Sequence, residues 1–397
     1  MPSNPGTPSR IEALLRPDGQ KRLLALDGGG IRGLITVEIL AGLEQMLREQ
    51  LGRGPDFRLA DYFHYVAGTS TGAIIATCIS LGMSVEQIRT FYKENGEAMF
   101  DKASLLQRFR YKYEDDRLAD KLRQVFNGYL DDDDRRAKRT DMTLGSTALK
   151  TLLLVVMRNA STDSPWPISN NPRAKYNERS RPDCNLDIPL WKLVRASTAA
   201  PVYFPPEQLT LGDKSFLFVD GGVTTYNNPA FLLFLMATLG AYRMAWPASP
   251  DTMLLVSIGT GTNPNANAGL AASDMNLLYN ATTIPSALMF AALNEQDLLC
   301  RVFGRCRFGA PLDQEVETLI LSDQEAKAAV LPHLFTYMRY NAELSAEGLK
   351  GLALGNPLVK PEQVQKMDSV DYMGDLMRVG AAVARDITPA HFAGFLG

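Results

Sequence analysis

Only three histidines occur in the 397 residues: His64, His333 and His391. A Ser-His-Asp triad needs one placed well after its nucleophile. His64 precedes the serine motif described below by a few residues, and His333 and His391 have neither a glycine turn nor an acidic setting. Cysteine is nearly as sparse. Cys78, Cys184, Cys300 and Cys306 form no CxxC pair, which argues against a zinc site or a disulfide frame and for reduced thiols in a cytoplasmic, soluble protein. The longest apolar run, residues 230–242, is too short to span a bilayer. Neither sign of charge dominates: 41 basic against 44 acidic residues leave a net charge of -3, so nucleic acid is not expected as a partner. The polar start MPSNPGTPSR lacks the apolar stretch of a signal peptide.

What the chain does have is apolar bulk and clustered glycine. At 46% hydrophobic and 21% charged it can bury one large core, or one core with a smaller cap. The informative glycines fall in DGGGIRG at residues 27–33, GTSTG at 68–72 and DGG at 220–222.

GTSTG matches G-x-S-x-G, which marks a sharp strand-to-helix turn that lifts a serine hydroxyl clear of the backbone. The strand-like HYVAG precedes it and the helix-like AIIATCISLG follows. Gly68 and Gly72 lack the Cβ atoms that would clash there. Ser70 falls at a helix N-terminus, where free N–H groups favour developing negative charge. The setting makes Ser70 a candidate nucleophile; a glycine-lined tight turn is the plainer reading.

DGGGIRG follows KRLLALD, which reads as a buried strand, and precedes a stretch with helical apolar spacing. Consecutive N–H groups of Gly28, Gly29 and Gly30 can converge on one oxygen, as an oxyanion hole requires. Gly28, Gly30 and Gly33 also satisfy the dinucleotide fingerprint G-x-G-x-x-G. That fingerprint wants an acidic residue closing a second strand about twenty residues on, and residues 48–55 are polar and glycine-broken instead. The oxyanion hole is therefore preferred to a dinucleotide site or a turn serving only packing. Arg32 is placed to attract an anionic head group or to steady the loop, and Asp27 to brace it.

With no histidine available, a carboxylate is the remaining candidate base. Asp220 closes the apolar strand FLFV just before Gly221 and Gly222. Strand-end residues point into the crevice at the carboxyl edge of an open α/β sheet, where Ser70 and the glycine loop are also expected. An ordinary aspartate, with a pKa of about 3.9, is a poor base, so Asp220 would need apolar surroundings and contact with the hydroxyl. Taken alone, Asp-Gly is a common turn.

The order DGGGIRG, GTSTG, DGG resembles the patatin-like phospholipases and, more distantly, the cytosolic phospholipase A group. The likeness continues in ASTAAPVYFPP (196–206), DGGVTTYNNPA (220–230) and LLVSIGTG (254–261), and so extends over residues 21–261. It implies a lipid acyl hydrolase that cleaves fatty-acyl esters of phospholipids through an acyl-enzyme, with transient membrane-surface contact and without metal or cofactor. Ser70 would be the nucleophile, Asp220 its base, and Gly28, Gly29 and Gly30 the oxyanion hole. Some bacterial relatives are switched on by a small ligand, including cyclic nucleotides in antiviral defence, although no residue here argues for one. The alternatives are a non-catalytic lipid-binding or storage protein on the same fold and a nucleotide-binding protein using the glycine loop.

The expected architecture is a three-layer α/β/α sandwich with a mostly parallel central sheet and C-terminal helical additions. Residues 1–20 are expected as a flexible lead-in, 21–330 as the catalytic domain, and 331–397 as a helical extension packed on it. Residues 277–302 read as a helix, 333–344 as mixed strand or helix, and 361–386 as an amphipathic helix. Residues 231–239, after an Asn-Asn-Pro start, read as a core helix. The densely charged stretch between 100 and 141 reads as a solvated face or loop. Within it, residues 109–113 are a candidate lid or lipid contact, and the proline-bearing loop 159–187 is a candidate lid or effector site.

Overall fold

The structure, a computed structural model, describes residues 10–100, 117–136, 138–201, 203–264, 277–322, 324–325 and 332–397, with the backbone alone at 133 and 277–286. Residues 109–113 lie outside the described residues. The described strands are β1 (Lys21–Leu26), β2 (Tyr65–Thr69), β3 (Leu152–Asn159), β4 (Ser164–Ser169), β5 (Glu207–Leu211), β6 (Lys214–Asp220), β7 (Met253–Ile258), β8 (Gly304–Phe308) and β9 (Phe335–Tyr340). They form one sheet in the order β5-β6-β3-β2-β1-β7-β9-β8, with β4 paired to β3. The six strands from β3 to β8 in that order are parallel, whereas β4, β5 and β6 pair antiparallel.

The central strands read as nearly unbroken apolar runs because helices cover both of their faces. Leu24, Leu26, Val66, Val155 and Val256 face a core shared with the helices Gly33–Gln50, Thr71–Ser80 and Met373–Val383. Their neighbours Leu23, Ala25, Ala67, Val156 and Leu255 face a second core built on the helix Ala230–Thr238. This two-residue alternation produces the three layers. The helix Ala230–Thr238 is a core helix, as its greasy sequence implies, with Leu232, Leu233 and Phe234 buried.

Four expectations change. The lead-in is tied down from residue 10 on: Arg10–Leu14 is helical, Leu15 is buried, and the Arg10 guanidinium donates to the Ala60 carbonyl at 2.8 Å. Residues 333–344 resolve into strand β9, which sits between β7 and β8, so a boundary near 331 would cut through the central sheet. The helix over 361–386 is interrupted, running as Pro361–Val364 and then Met373–Val383. In between, the Met367 carbonyl accepts a hydrogen bond from the Ile31 N–H at 3.0 Å, a contact a continuous helix could not make. The loop 159–187 is pinned within itself: it forms the β4 hairpin, and the Asn177 amide donates to the carbonyls of Ser169 and Asn171 at 2.7 and 2.6 Å.

Candidate active site

β2 ends at Thr69 and a helix begins at Thr71, so the whole reversal falls on Ser70, with φ 56° and ψ -125°. A non-glycine residue held there costs on the order of 1–3 kcal/mol. The flanking glycines are required by contact: a Cβ on Gly68 would lie 2.1 Å from the Gly72 carbonyl oxygen, and one on Gly72 would lie 2.3 Å from that of Leu26. Ser197, the last residue of the helix Leu190–Ser197, holds the strained turn. Its Oγ accepts the Ser70 N–H at 2.9 Å, and its hydroxyl donates to the Val156 carbonyl at 2.6 Å.

Sheet register brings Asp220 to the same level. Thr69 lies opposite Val156 on one side of β3, and Asp220 opposite Met157 on the other. The three motifs do not all end strands running in one direction, because β6 is antiparallel to β3; its chain enters from the carboxyl edge and stops level with the serine. The Ser70 hydroxyl donates to Asp220 Oδ2 at 2.6 Å, and the Gly222 N–H donates to Oδ1 at 2.7 Å. Burial pushes the Asp220 carboxyl up to about 6, opposed by those two hydrogen bonds and the Arg195 charge. No histidine takes part. His64 Nδ1 accepts the Arg22 N–H at 3.1 Å, and burial beside Arg22 and Lys21 depresses its pKa to about 3. His391 bonds Tyr340 at 2.8 Å.

The glycine loop departs from expectation at one position. The Gly28 N–H donates to the Asn227 carbonyl at 3.1 Å and is therefore not available to an oxyanion. Gly28 matters for clearance instead: a Cβ there would lie 2.3 Å from Asn227 Oδ1 and 3.1 Å from Ser70 Cβ. Among the described residues, the N–H groups of Gly29 and Gly30 make no hydrogen bond. Gly29 packs on Thr260, whose hydroxyl donates to the Gly28 carbonyl at 2.8 Å, and Gly30 adopts φ +62° beneath Met367. Arg32 turns back on the loop, donating to the carbonyls of Gly29 at 3.5 Å and Gly261 at 3.4 Å, and burial lowers its pKa to about 10. The Asp27 carboxylate is buried against Arg339, at 2.6 and 3.3 Å.

Chemically, then, a hydroxyl is hydrogen-bonded to a carboxylate of raised pKa, and it lies against Gly28, the residue before two amides that make no hydrogen bond among the described residues. Ser197, Asn227, Met367 and Arg339 contribute and were not assigned roles from sequence. Ser197 and Asn227 lie inside the strings ASTAAPVYFPP and DGGVTTYNNPA. Met367 and Arg339 had no local signal at all. Among the described residues, no helix is long and apolar enough to cross a membrane.

The family described as patatin-like phospholipase matches residues 24–234. Patatin-17 of Solanum cardiophyllum is 32% identical over 259 residues, covering 60% of this chain and 60% of its own length. Patatin group J-1 of Solanum tuberosum is 31% identical over 258 residues, covering 61% and 60%. This chain thus spans about three-fifths of the length of these relatives. Among solved structures, VipD from Legionella pneumophila aligns with a TM-score of 0.34 at 13% identity, over 91% of this chain and 67% of its own. The type III effector ExoU aligns with a TM-score of 0.23 at 14% identity, over 47% and 43%.

Proposed function

This chain belongs to the patatin-like phospholipase family, and from that premise we propose that it is a serine esterase of phospholipase A type, hydrolysing fatty-acyl esters of phospholipids through a Ser-Asp dyad. The observation that carries the proposal is the 2.6 Å hydrogen bond from Ser70 Oγ to Asp220 Oδ2, beside the unengaged amides of Gly29 and Gly30. Asp220 accepts the Ser70 proton as Oγ attacks the ester carbonyl carbon, and the oxygen that gains charge sits against those two N–H groups. Collapse breaks the ester C–O bond, and the departing alkoxide takes the proton back from Asp220. Water then attacks the acyl-enzyme, with Asp220 again as base, releasing fatty acid and restoring Ser70. The raised carboxyl suits this work, since a base near neutrality is better matched to a hydroxyl than an ordinary aspartate. Substrate would be reached by transient contact with a membrane surface from the cytoplasm, a location to which the four free cysteines lend support.

A fluorophosphonate probe and phosphatidylcholine vesicles test the reading together. Labelling confined to Ser70, with fatty acid release lost in Ser70→Ala and Asp220→Asn, is expected. Labelling elsewhere, or release at the wild-type rate in either variant, overturns it. Activation by a small ligand rests on the family resemblance alone, and repeating the vesicle assay with cyclic nucleotides added tests it: release unchanged by any of them overturns it.

A further inference from the structure

We propose that Arg339 is a positioning residue for the oxyanion hole, acting through Asp27; the inference rests on the hydrolase reading above. Arg339 lies on β9, two strands away from β1. Ala25, Ser257 and Arg339 form one register row across β1, β7 and β9. The buried guanidinium reaches over β7, donating from Nη1 to Ser257 Oγ at 2.6 Å and from Nη2 to Asp27 Oδ2 at 2.6 Å. On its other side Nε lies 3.6 Å from Asp297 Oδ2. Asp297 in turn is held by Arg301 at 3.0 and 2.8 Å and by the Tyr337 hydroxyl at 2.9 Å.

Two arginines and two aspartates are thus ion-paired in one buried cluster, with the Arg32 charge also acting on Asp27. A buried ion cluster of this kind adds little stability over apolar residues of the same volume, because desolvation offsets the attraction. What it does supply is a fixed direction, since a guanidinium fork grips a carboxylate in one plane. Three consecutive glycines have no side chains by which their peptide planes could be held, so the loop must be aimed from its ends. Asp27 is the residue immediately before it, and its N–H is already fixed to the Ile258 carbonyl at 3.1 Å. The Asp27–Arg339 grip fixes the same residue through its side chain. Donors to an oxyanion need placement to within a few tenths of an ångström.

The decisive variant is Asp27→Asn with Arg339→Gln, which removes one charge of each sign and leaves the Asp297–Arg301 pair balanced. With p-nitrophenyl butyrate, kcat is expected to fall about 10- to 100-fold, with KM within about threefold. Fluorophosphonate labelling of Ser70 should slow by a similar factor, because that reaction also places an oxygen in the hole. The pH midpoint should stay where it is, since Asp220 is untouched. Arg339→Lys keeps the charge without the fork and should fall between the double variant and wild type. A folded double variant with kcat within twofold of wild type overturns the proposal, as does a kcat loss accompanied by a shifted pH midpoint. Should the double variant not fold, Arg339→Lys decides, wild-type kcat being the overturning result. Absence of Ser70-dependent hydrolysis and labelling in the wild-type protein is a separate outcome that removes the hydrolase reading itself.

Discussion

The chain passes from strand to helix at two neighbouring places in the sheet, after β1 and after β2, and the two turns treat the backbone in opposite ways. After β2 the reversal takes one residue, whose own N–H is captured by Ser197 while its hydroxyl points at Asp220. After β1 it takes several residues, and the N–H groups of Gly29 and Gly30 find no partner among the described residues. One turn fixes its peptide group and extends a side chain; the other has no side chains and leaves two peptide N–H groups without a partner among the described residues. Their supports differ accordingly. The serine turn is held through Ser197, at the end of the helix Leu190–Ser197, and through the Val156 carbonyl on the neighbouring strand β3. The glycine loop is held through Asn227, Thr260, Arg339 and Met367, all far along the chain. Both turns are fixed by residues distant in sequence, but the serine turn carries its presented group in a five-residue motif, whereas the glycine loop has only peptide groups to present.

Removing what each turn presents should give the largest effects. Ser70→Ala is expected to lower kcat for a short-chain ester by about 10³-fold or more, with the thermal unfolding midpoint changed little, since alanine occupies the same turn. Gly30→Ala attacks the other turn, since it asks a Cβ to sit at φ +62° and 2.3 Å from the Met367 carbonyl oxygen. About a 10²-fold loss in kcat is expected as the amides move, read by steady-state kinetics on the same ester. Equal activity in Gly30→Ala and wild type would mean that the loop does not present the oxyanion donors.

The same asymmetry explains how much was legible in the sequence. The meeting of Ser70 with Asp220 was legible because each residue sits in a short glycine-bearing string at the end of a strand. Strands β1, β2 and β6 and the helices that follow β1 and β2 were legible from apolar runs of the right length. Gly28 was misjudged because three adjacent amides look alike in sequence, and only the Asn227 carbonyl at 3.1 Å distinguishes the first from the other two. β9 was ambiguous because FTYMRY is buried along its whole length, which hides the alternation that separates strand from helix. Arg339 within it carries no local signal, because its partner Asp27 lies 312 positions away.

Smaller effects sharpen the contrast. Ser197→Ala removes the acceptor for the Ser70 N–H and should lower kcat about tenfold, with KM little changed, as the strained turn relaxes toward ordinary backbone. Asp220 gives a pH test with two signs. Because burial raises its carboxyl from 3.8 to about 6, kcat/KM should climb through about pH 6 and level off above it, as the base becomes ionised. Stability should run the other way: the native state holds the proton more tightly than the unfolded chain, so stability is fullest below about 3.8 and declines as pH rises through about 6. Asp220→Asn should therefore unfold later than wild type in urea at pH 8, by on the order of 2 kcal/mol, while being inactive. A destabilised Asp220→Asn would mean that the carboxylate is not held against its solvation preference.

The smallest expected effect lies where the two turns meet. Gly33, at the start of the helix after the glycine loop, packs against Thr71, the first residue after the serine, and a Cβ there would come within 2.5 Å of Thr71 Oγ1 and 3.2 Å of the Tyr92 ring. The buried Tyr92 hydroxyl bonds both the hydroxyl of Thr71 and, at 3.1 Å, its carbonyl. Tyr92→Phe leaves the ring in place and removes only those bonds, so it should cost about 1–2 kcal/mol in urea unfolding. Its effect on kcat should stay within about twofold, because the conformation of Ser70 is fixed from the other side, by Ser197 and the β3 backbone. A tenfold loss of kcat in Tyr92→Phe would show instead that the serine turn is clamped from both sides. The two turns would then be a single mechanical unit, and a change at Arg339 or Gly30 should alter the labelling rate of Ser70 through its position as well as through the oxyanion hole.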